Sequence, residues 1–292
     1  MNDSYPLYLV DASIYIFRAY FSVPDYFSAK NGESVNAVYG YTQFLLDLIE
    51  RQPTYISVAF DESLVSCYRN KIYPNYKANR DLPDANLEYQ LSQCQVITEL
   101  LGLHGLSLED YEADDIIGTL HKKFSLPSII VTRDKDLGQL IGEQDRLWDF
   151  ANDQLSGPED VKQKFGVRPD QIADFLALAG DTVDNIPGAP GIGAKTAVAL
   201  LSEFDTIENL YVAIEQVSEM KLRGAKKVQQ TLLDSREDIA LYRRITGIEC
   251  DIPLNTVLQD LTITPRPKAE INRFCDEMKF GQRIRDRVEK LF

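Results

Sequence analysis

Four short apolar segments, separated by stretches with helical patterns, occur in the first half of the chain and limit the folds that it can adopt. These segments are residues 8–10, 55–60, 128–132 and 146–150. Apolar residues at helical spacing predict a helix over 38–50, and a second helix fits 114–124. Strands that alternate with helices predict an α/β fold with a central, mostly parallel sheet flanked by helices.

Aspartates follow three of these segments at the points where the strands end. Asp11 and Asp61 stand singly after the first two strands, and Asp134 and Asp136 follow the third. In an open α/β sheet, ligands bind in the crevice beyond the carboxyl ends of the strands. The sequence therefore predicts that these four carboxylates lie together at one sheet edge.

Two further acidic groups have spacings that place their side chains together. Glu112 and Asp115, with Asp114 between them, are three apart at a predicted helix start, so they share a face. Asp115 has the weakest individual case as a ligand, because it also suits a helix cap or a group behind the ligands. Asp181 and Asp184 are again three apart, a spacing that predicts the last turn of a helix. Carboxylates gathered in one crevice repel one another unless cations are bound there.

This donor set predicts a site for two Mg²⁺ (or Mn²⁺) ions, because these cations prefer carboxylate oxygens and retained waters. Two such ions about 3.5–4 Å apart activate a water, hold a phosphate and stabilise the leaving oxygen. An acid of this kind taken alone is more often a solvated surface charge or a helix cap than a metal ligand. Their repetition at strand ends favours a shared site for phosphodiester hydrolysis.

A glycine- and proline-rich turn follows the last acidic pair, over residues 186–197. Its glycines permit positive φ, and the turn leads into a helix whose first backbone N–H groups face outward toward an anion. This pattern predicts a helix–hairpin–helix turn that holds duplex DNA by its phosphates without reading bases. The residues predicted to contact DNA are Gly191, Ile192, Gly193, Ala194, Lys195 and Thr196.

The stretch 62–100 interrupts the alternation of strands and helices beside the predicted site, as a lid, arch or binding loop would. Tyr76, Lys77 and Arg80 are predicted to fall within one helical turn, and a helix is predicted for 86–101. Lys77 and Arg80 would contact the scissile phosphate, and Tyr76 would stack on an unpaired base. The alternative for this segment is an exposed basic helix with one half-buried tyrosine. Arg18, in an otherwise apolar helix start, suits either a salt bridge or a phosphate clamp.

From residue 157 the sequence is mainly helical, so we predict an α/β core with its arch over 1–156 and a helical DNA-binding region over 157–292. The later helices are predicted at 158–165, 168–179, 195–203, 207–213 and 225–242. The boundary is a soft one, because the helical region is also suited to pack directly on the sheet.

Composition limits the class of protein more than the activity. A hydrophobic fraction of 44% and scattered cysteines are typical of a cytoplasmic globular protein with reduced thiols. No apolar run of membrane-spanning length is present, and no secretory signal is expected at the N-terminus. The net charge of −14 disfavours nucleic-acid binding on average, but the basic residues occur in local groups.

Taken together, the motifs resemble the 5′-nuclease (flap endonuclease) family, and especially the 5′→3′ exonuclease domain of bacterial DNA polymerase I. The resemblance runs nearly end to end through ordered segments at 9–13, 17–20, 59–61, 76–80, 112–115, 132–136 and 180–197. It implies a PIN-like 5′-nuclease fold, with an arch and a helix–hairpin–helix motif. Without a polymerase segment, the chain is expected to be a free-standing member.

The resemblance also implies roles for individual residues. The metals would be held by Asp11, Asp61, Glu112, Asp114, Asp115, Asp134 and Asp136, with Asp181 and Asp184 completing the second site. Lys77 and Arg80 would serve the arch, and Arg18 the phosphate gate. A K⁺ ion at the hairpin would be bound by the backbone carbonyls of Leu178, Ala179, Pro187, Ala189 and Ile192.

The predicted function is therefore structure-specific cleavage of DNA that carries a 5′ flap, a 5′ overhang or a frayed 5′ end, with no obligate protein partner inferred. A ribonuclease on a related carboxylate fold would have fewer acids and no need of the hairpin. A non-catalytic DNA-junction binding protein would have lost acids, and none is missing here.

Overall fold

The computed structural model describes residues 5–62, 67–80 and 82–292. Within these residues one six-stranded sheet has the order β3-β2-β1-β4-β5-β6. The strands are β1 Leu7–Asp11, β2 Tyr55–Ala59, β3 His104–Leu106, β4 Ser128–Val131, β5 Arg146–Asp149 and β6 Gln154–Ser156. The first five pair in parallel, and β6 pairs antiparallel with β5. The predicted mostly parallel sheet is confirmed.

The four predicted strands are all present, whereas β3 and β6 were not predicted. Each of these two strands has three residues, and neither is itself a run of apolar residues. The carboxyl ends of β1, β2 and β4 lie side by side, with Asp11 paired to Ala59 and Val10 to Val131. The acids that follow these strands therefore start from one edge of the sheet.

Helices cover both faces of the sheet. Those of the first half are α1 Ala12–Ser22, α2 Asn36–Ile49, α3 Tyr68–Ile72, α4 Ala85–Leu100 and α5 Ala113–Phe124. Those of the second half are α6 Pro158–Phe165, α7 Ile172–Ala179, α8 Ala194–Phe204, α9 Ile207–Val212, α10 Ala225–Asp234, α11 Arg236–Thr246, α12 Lys268–Glu277 and α13 Gln282–Leu291. In the part of the chain that the structure describes, no helix has the length and apolar character needed to cross a bilayer.

Two helix predictions need correction. The single helix predicted over 225–242 is two helices, α10 and α11, which meet at Ser235 with φ −104° and ψ 17°. The helical turn predicted for Tyr76, Lys77 and Arg80 is a run of tight turns, and Lys77 has a positive φ of 53°. The predicted arch, 62–100, also contains residues 63–66 and 81, which lie outside the described residues.

The buried core forms two clusters, one for each face of the sheet. One cluster joins the strand residues Leu7 and Leu9 to Ile116 of α5, Phe175 of α7 and Ile239 of α11. The other packs α2 and α4 against the opposite face, together with α12 and α13. The helical region therefore packs directly on the sheet, and the boundary at residue 157 stays a prediction.

Candidate active site

Asp11 and Asp61 are held at the sheet edge by polar groups of neighbouring elements. Asp11, which is 4% exposed, accepts a hydrogen bond from Thr132 Oγ1 at 3.0 Å. Asp61 Oδ2 accepts from Ser13 Oγ at 2.7 Å, and its Oδ1 accepts from the backbone N–H of Ala113 at 2.9 Å. The residues after β1, β2 and β4 and at the start of α5 thus meet at one point.

The carboxylates of this edge raise one another's pKa. Burial first, and then the charges of Asp61 and Asp134, raise the pKa of Asp11 to about 7. Burial and Asp134 raise the pKa of Asp136 to about 8. The pKa of Asp114 lies well above its usual range because of burial and the charges of Asp134 and Asp11. The predicted gathering of these acids is therefore present in the fold.

The Asp136 side chain gives a direct sign that the cluster fits a cation. Its Oδ1 atom is buried without a hydrogen-bond partner among the described residues. An unpaired buried carboxylate oxygen costs free energy unless a cation or water compensates it. Together with the raised pKa values, this oxygen matches the donor chemistry that Mg²⁺ and Mn²⁺ prefer.

Basic side chains reach into the cluster and pair with its other acids. Lys77 forms an ion pair with Glu112, and its Nζ lies 3.9 Å from Asp184 Oδ2. Arg80 Nη2 lies 2.8 Å from Asp184 Oδ1. In the described ranges no three carboxylate, imidazole or thiol groups enclose a cation site by themselves. Cations would therefore have to compete with these basic side chains for part of the donor set.

Glu112 keeps a low pKa although it is buried. Burial would raise the pKa, but Lys77 and Arg69 lower it below the ordinary value. Tyr76 Oη also donates to Glu112 Oε2 at 2.9 Å and lies 3.2 Å from Asp184 Oδ2. Glu112 thus connects Tyr76 and Lys77 to the start of α5 at the sheet edge.

The prediction that Tyr76 stacks on an unpaired base is wrong for this structure. The side chain is 3% exposed, and its hydroxyl is bonded to site carboxylates. The alternative of a tyrosine withdrawn from the surface is the one that the structure favours. The tight turns instead direct Tyr76 inward, while the Arg80 side chain stays 40% exposed.

Asp115 is not positioned as a metal ligand. It is fully buried, and both of its oxygens accept hydrogen bonds from Arg69, at 2.7 Å each. The same oxygens accept from the backbone N–H groups of Glu112 and Glu249. The metal-ligand prediction for Asp115 is therefore corrected, since the guanidinium and the two N–H groups already occupy both oxygens.

Asp181 and Asp184 lie in a closed turn after α7, not in the last turn of a helix as predicted. Asp181 and Ile186 exchange backbone hydrogen bonds of 2.8 and 2.7 Å, which close the loop. Asp181 Oδ2 accepts from Lys135 Nζ at 2.6 Å. Helix α7 ends at Ala179, and at the following Gly180 a Cβ would lie 2.6 Å from the Pro187 carbonyl oxygen. The chain therefore leaves the helix before the first of the two acids.

The hairpin turn stands on the surface as the sequence predicted. Gly191, Gly193, Ala194 and Lys195 are exposed, whereas the Ile192 side chain is buried. No atom lies within 4 Å of a Cβ built on Gly191 or Gly193, so the space above the turn is open to a phosphate. Thr196 follows in the first turn of α8, half-buried.

The backbone carbonyls proposed for K⁺ come from two adjoining segments. The Ala189 N–H donates to the Leu178 carbonyl at 2.9 Å, and the Ile192 N–H donates to the Ala189 carbonyl at 3.0 Å. Gly188 approaches the chain so closely that a Cβ would lie 2.3 Å from Gly180 N. The potassium assignment to these residues, with Ala179 and Pro187, stays a prediction.

Arg18 lies on α1 with an exposed side chain. It forms no ion pair with any side chain that the structure describes. The salt bridge that its position suggested is therefore not seen among the described residues. The phosphate clamp stays a prediction.

Four side chains of the site were not predicted from the sequence: Ser13, Arg69, Thr132 and Lys135. Ser13, Thr132 and Lys135 stand within four residues of a predicted ligand, so proximity to the acids was an available signal. Arg69 had no such signal, since its acidic partners lie 43 and 46 residues away.

The sequence matches the family of the 5′-3′ exonuclease N-terminal resolvase-like domain over residues 6–166. It matches the 5′-3′ exonuclease C-terminal SAM fold over residues 167–269. The chain belongs to the 5′-3′ exonuclease family. This agrees with the resemblance found in the sequence motifs.

Individual relatives within the 5′-3′ exonuclease family cover this chain almost completely. It is 33% identical to a 5′-3′ exonuclease of Aquifex aeolicus over 291 residues, which is 98% of this chain and 96% of the relative. It is 36% identical to DNA polymerase I of Lactococcus lactis subsp. cremoris over 97% of this chain but 33% of the polymerase. The chain thus spans about a third of the DNA polymerase I relative and nearly all of the exonuclease.

The fold is shared with a solved structure of bacteriophage T5 D15 flap endonuclease in a complex with DNA and metal ions. The two chains superpose with a TM-score of 0.67 at 18% identity, covering 98% of this chain and 97% of the phage protein. At this identity the likeness concerns the fold. Helices flanking a mostly parallel sheet, with a helical second half, are therefore common to both.

Proposed function

We propose that this chain is a structure-specific 5′ nuclease that hydrolyses DNA phosphodiester bonds, as a 5′→3′ exonuclease or 5′-flap endonuclease. The observation that carries the proposal is the convergence of acids from separate segments beside Lys77 and Arg80 and an exposed glycine-rich hairpin. The family is one of 5′-3′ exonucleases, and the T5 relative binds DNA and metal ions. The substrate would be cellular DNA, so the proposed location is the cytoplasm.

The proposed cofactors are two Mg²⁺ (or Mn²⁺) ions. The residues that would hold them are Asp11, Asp61, Glu112, Asp114, Asp134, Asp136, Asp181 and Asp184. Bound divalent cations supply activation of a water and neutralisation of charge on the phosphate. The unpaired Asp136 oxygen and the raised pKa values of the sheet-edge acids support this assignment.

The basic residues of the site would hold the substrate phosphate. Lys77 and Arg80 both lie beside Asp184, so a phosphate that entered there would meet two cationic side chains. Cationic groups stabilise the negative charge that develops during phosphodiester hydrolysis. Arg18, exposed on α1, would contact a neighbouring phosphate. In this proposal Tyr76 orients Glu112 and does not contact a base.

The hairpin would bind the duplex away from the point of cleavage. Its exposed backbone and Lys195 suit phosphate contacts, which position a nucleic acid without reading its sequence. A K⁺ ion bound by the nearby carbonyls would strengthen this contact. Because the hairpin follows the Asp181–Asp184 turn directly, duplex binding and cleavage would be kept at a fixed separation. The proposed substrate is DNA with a 5′ flap, a 5′ overhang or a frayed 5′ end.

The test uses a duplex labelled on a 5′ flap and incubated with the protein, with and without Mg²⁺. Product lengths on a sequencing gel distinguish flap cutting near the junction from stepwise removal of nucleotides. We expect cleavage only in the presence of Mg²⁺ or Mn²⁺. Binding of the duplex without any Mg²⁺-dependent product would contradict the proposed enzyme and favour a DNA-junction binding protein.

A further inference from the structure

Arg69 uses all of its hydrogen-bonding capacity in one buried position. The side chain is 3% exposed, and a guanidinium has five N–H donors. Its Nε donates to the Ile245 carbonyl, Nη1 donates to Glu112 and Asp115, and Nη2 donates to Asp115 and to the Gly247 carbonyl. The distances range from 2.7 to 2.9 Å. A guanidinium that is fully paired in this way fixes the relative positions of everything it contacts.

These contacts join three separate parts of the molecule. Arg69 itself lies on α3, eight residues before Lys77. Glu112 and Asp115 lie at the start of α5, where Glu112 is one of the proposed metal ligands. The two carbonyls belong to the end of α11 and the residue that follows it.

The end of α11 is in turn fixed to the helix that leads to the second acidic pair. Thr246 Oγ1 donates to the Ala173 carbonyl on α7 at 2.9 Å. Arg243 of α11 forms an ion pair with Asp174 of α7. Helix α7 ends at Ala179, and Asp181 follows within two residues. A chain of short contacts therefore runs from Glu112 through Arg69 and α11 to the Asp181 turn.

Charge explains why an arginine is required at this position. Asp115 is fully buried, and an unpaired charge there would be strongly unfavourable. Arg69 pairs with Asp115 through both oxygens and has one further N–H for Glu112. A lysine has the same charge but one compact ammonium group. It therefore cannot form the two hydrogen bonds to both Asp115 oxygens and also reach both carbonyls.

We propose that Arg69 is a positioning residue for the nuclease reaction, which sets the separation between the Glu112 end of α5 and the Asp181 turn. Asp115 is its counter-ion and not a metal ligand. This inference rests on the proposed function, because it concerns how acids that bind cations are held in place. Replacing a residue that hydrogen-bonds to a metal ligand commonly lowers metal affinity or activity by about 10- to 100-fold.

The test compares Arg69→Lys with a matched control, Arg285→Lys. Arg285 also donates through its guanidinium to two carbonyls and a carboxylate, but it lies on α13 and contacts α12. The first measurement is the melting temperature of each DNA-free protein as Mg²⁺ or Mn²⁺ is added. The second is kcat and KM on the flap duplex across the same metal concentrations.

For Arg69→Lys we expect the half-saturating Mg²⁺ concentration to rise by about tenfold and kcat to fall by about 10- to 100-fold. KM for DNA should change much less than kcat, because the proposed duplex contacts lie at the hairpin. Arg285→Lys should shift neither the metal dependence nor kcat. If Arg69→Lys lowers the melting temperature but leaves the metal dependence and kcat at the wild-type values, the role is structural and the inference is wrong.

A second variant covers the case in which Arg69→Lys does not fold. Asp115→Asn keeps the shape of the side chain and removes the charge, so Arg69 would be drawn more strongly to Glu112. We expect the same rise in half-saturating Mg²⁺, and an unchanged metal-induced melting shift would overturn the inference. A wild-type protein without any metal-induced shift or cleavage would instead contradict the proposed function itself.

Discussion

The Nζ atom of Lys135 lies 2.6 Å from Oδ2 of Asp181, one of the acids proposed to bind a divalent cation. Asp181 is 3% exposed at its side chain, whereas Lys135 is 34% exposed. An amino group in this place neutralises the carboxylate as a bound cation would. In the same way Lys77 pairs with Glu112, and Arg80 pairs with Asp184. The site therefore contains its own counter-ions, which cations must displace.

The first prediction concerns this competition. Lys135→Met should lower the half-saturating Mg²⁺ concentration, measured by the metal-induced rise in melting temperature. The gain should be no more than about fivefold, since a partly exposed ion pair contributes about 1 kcal/mol at most. Without metal, the variant should be less stable than the wild type because Asp181 loses its partner. An unchanged or higher half-saturating concentration would show that Lys135 does not compete with the cation.

The second prediction concerns Asp181 as a ligand. Asp181→Asn should reduce kcat on the flap duplex by about 100-fold or more, because oxygen charge is lost where metal charge stabilises the reaction. Duplex binding by the hairpin should be largely spared, as checked by fluorescence anisotropy. Asp251→Asn is the control, since Asp251 is an exposed acid paired with Lys122. Undiminished cleavage by the Asp181 variant would count against the metal assignment.

The third prediction concerns the buried hydroxyl of Tyr76. Tyr76→Phe removes the donor to Glu112 and keeps the ring. We expect kcat to fall by about tenfold, as for other groups that orient metal ligands, with unchanged DNA binding. If Tyr76 instead stacked on a base, phenylalanine would preserve the contact and kcat would not change. Kinetics on the flap duplex at saturating Mg²⁺ decide between the two roles.

The fourth prediction concerns pH and the metal-free protein. The pKa values of Asp11 and Asp136 rise from the ordinary value of 3.8 to about 7 and about 8 in the folded chain. The folded state therefore binds more protons than the unfolded state in this range, and the stability associated with these groups is lost as pH rises toward 8. Bound Mg²⁺ should offset the loss, since it compensates the ionised carboxylates.

Urea unfolding with EDTA and with Mg²⁺ at several pH values measures this effect. The stabilisation by Mg²⁺ should grow as pH rises from the ordinary pKa of 3.8 toward the raised pKa of about 8. Asp136→Asn, which removes one of the two groups, should show a smaller pH dependence. A Mg²⁺ effect that is constant with pH would contradict the prediction.

The fifth prediction concerns the hairpin. Lys195→Ala should weaken binding to duplexes of any sequence and reduce the slope of log affinity against log salt by about one, as the loss of one phosphate contact does. Lys268→Ala is the control, because Lys268 pairs with Glu289 near the end of the chain. If the wild type and the Lys195 variant have the same slope of log affinity against log salt, the duplex does not contact Lys195.

The sequence predicted the sheet and the acids at its edge because both depend on residues that are neighbours in the chain. Apolar runs define the strands; Asp11 is the last residue of β1, and Asp61 stands two residues after β2. The parallel arrangement brings those strand ends together whatever the details of packing. The exposed hairpin was predictable for the same reason, since its glycines act on the local backbone.

The inward direction of Tyr76 and the role of Asp115 were not predictable in this way. Both depend on side chains that approach from distant parts of the chain. Tyr76 reaches Asp184 across 108 residues, and Arg69 reaches the Gly247 carbonyl across 178 residues. Local spacing makes Asp115 look equivalent to Glu112, and only the buried guanidinium separates their roles.

The fold class, the acidic sheet edge and the exposed glycine-rich turn could thus be predicted from the amino-acid sequence. Their physical basis is local: hydrophobic periodicity, strand ends and glycine conformations. Which acids pair with basic side chains, and that Asp136 Oδ1 is buried without a partner among the described residues, became evident only in the folded chain. Burial and charge pairing depend on the packing of α3, α5, α7 and α11 against one another, and this packing is set by the whole chain.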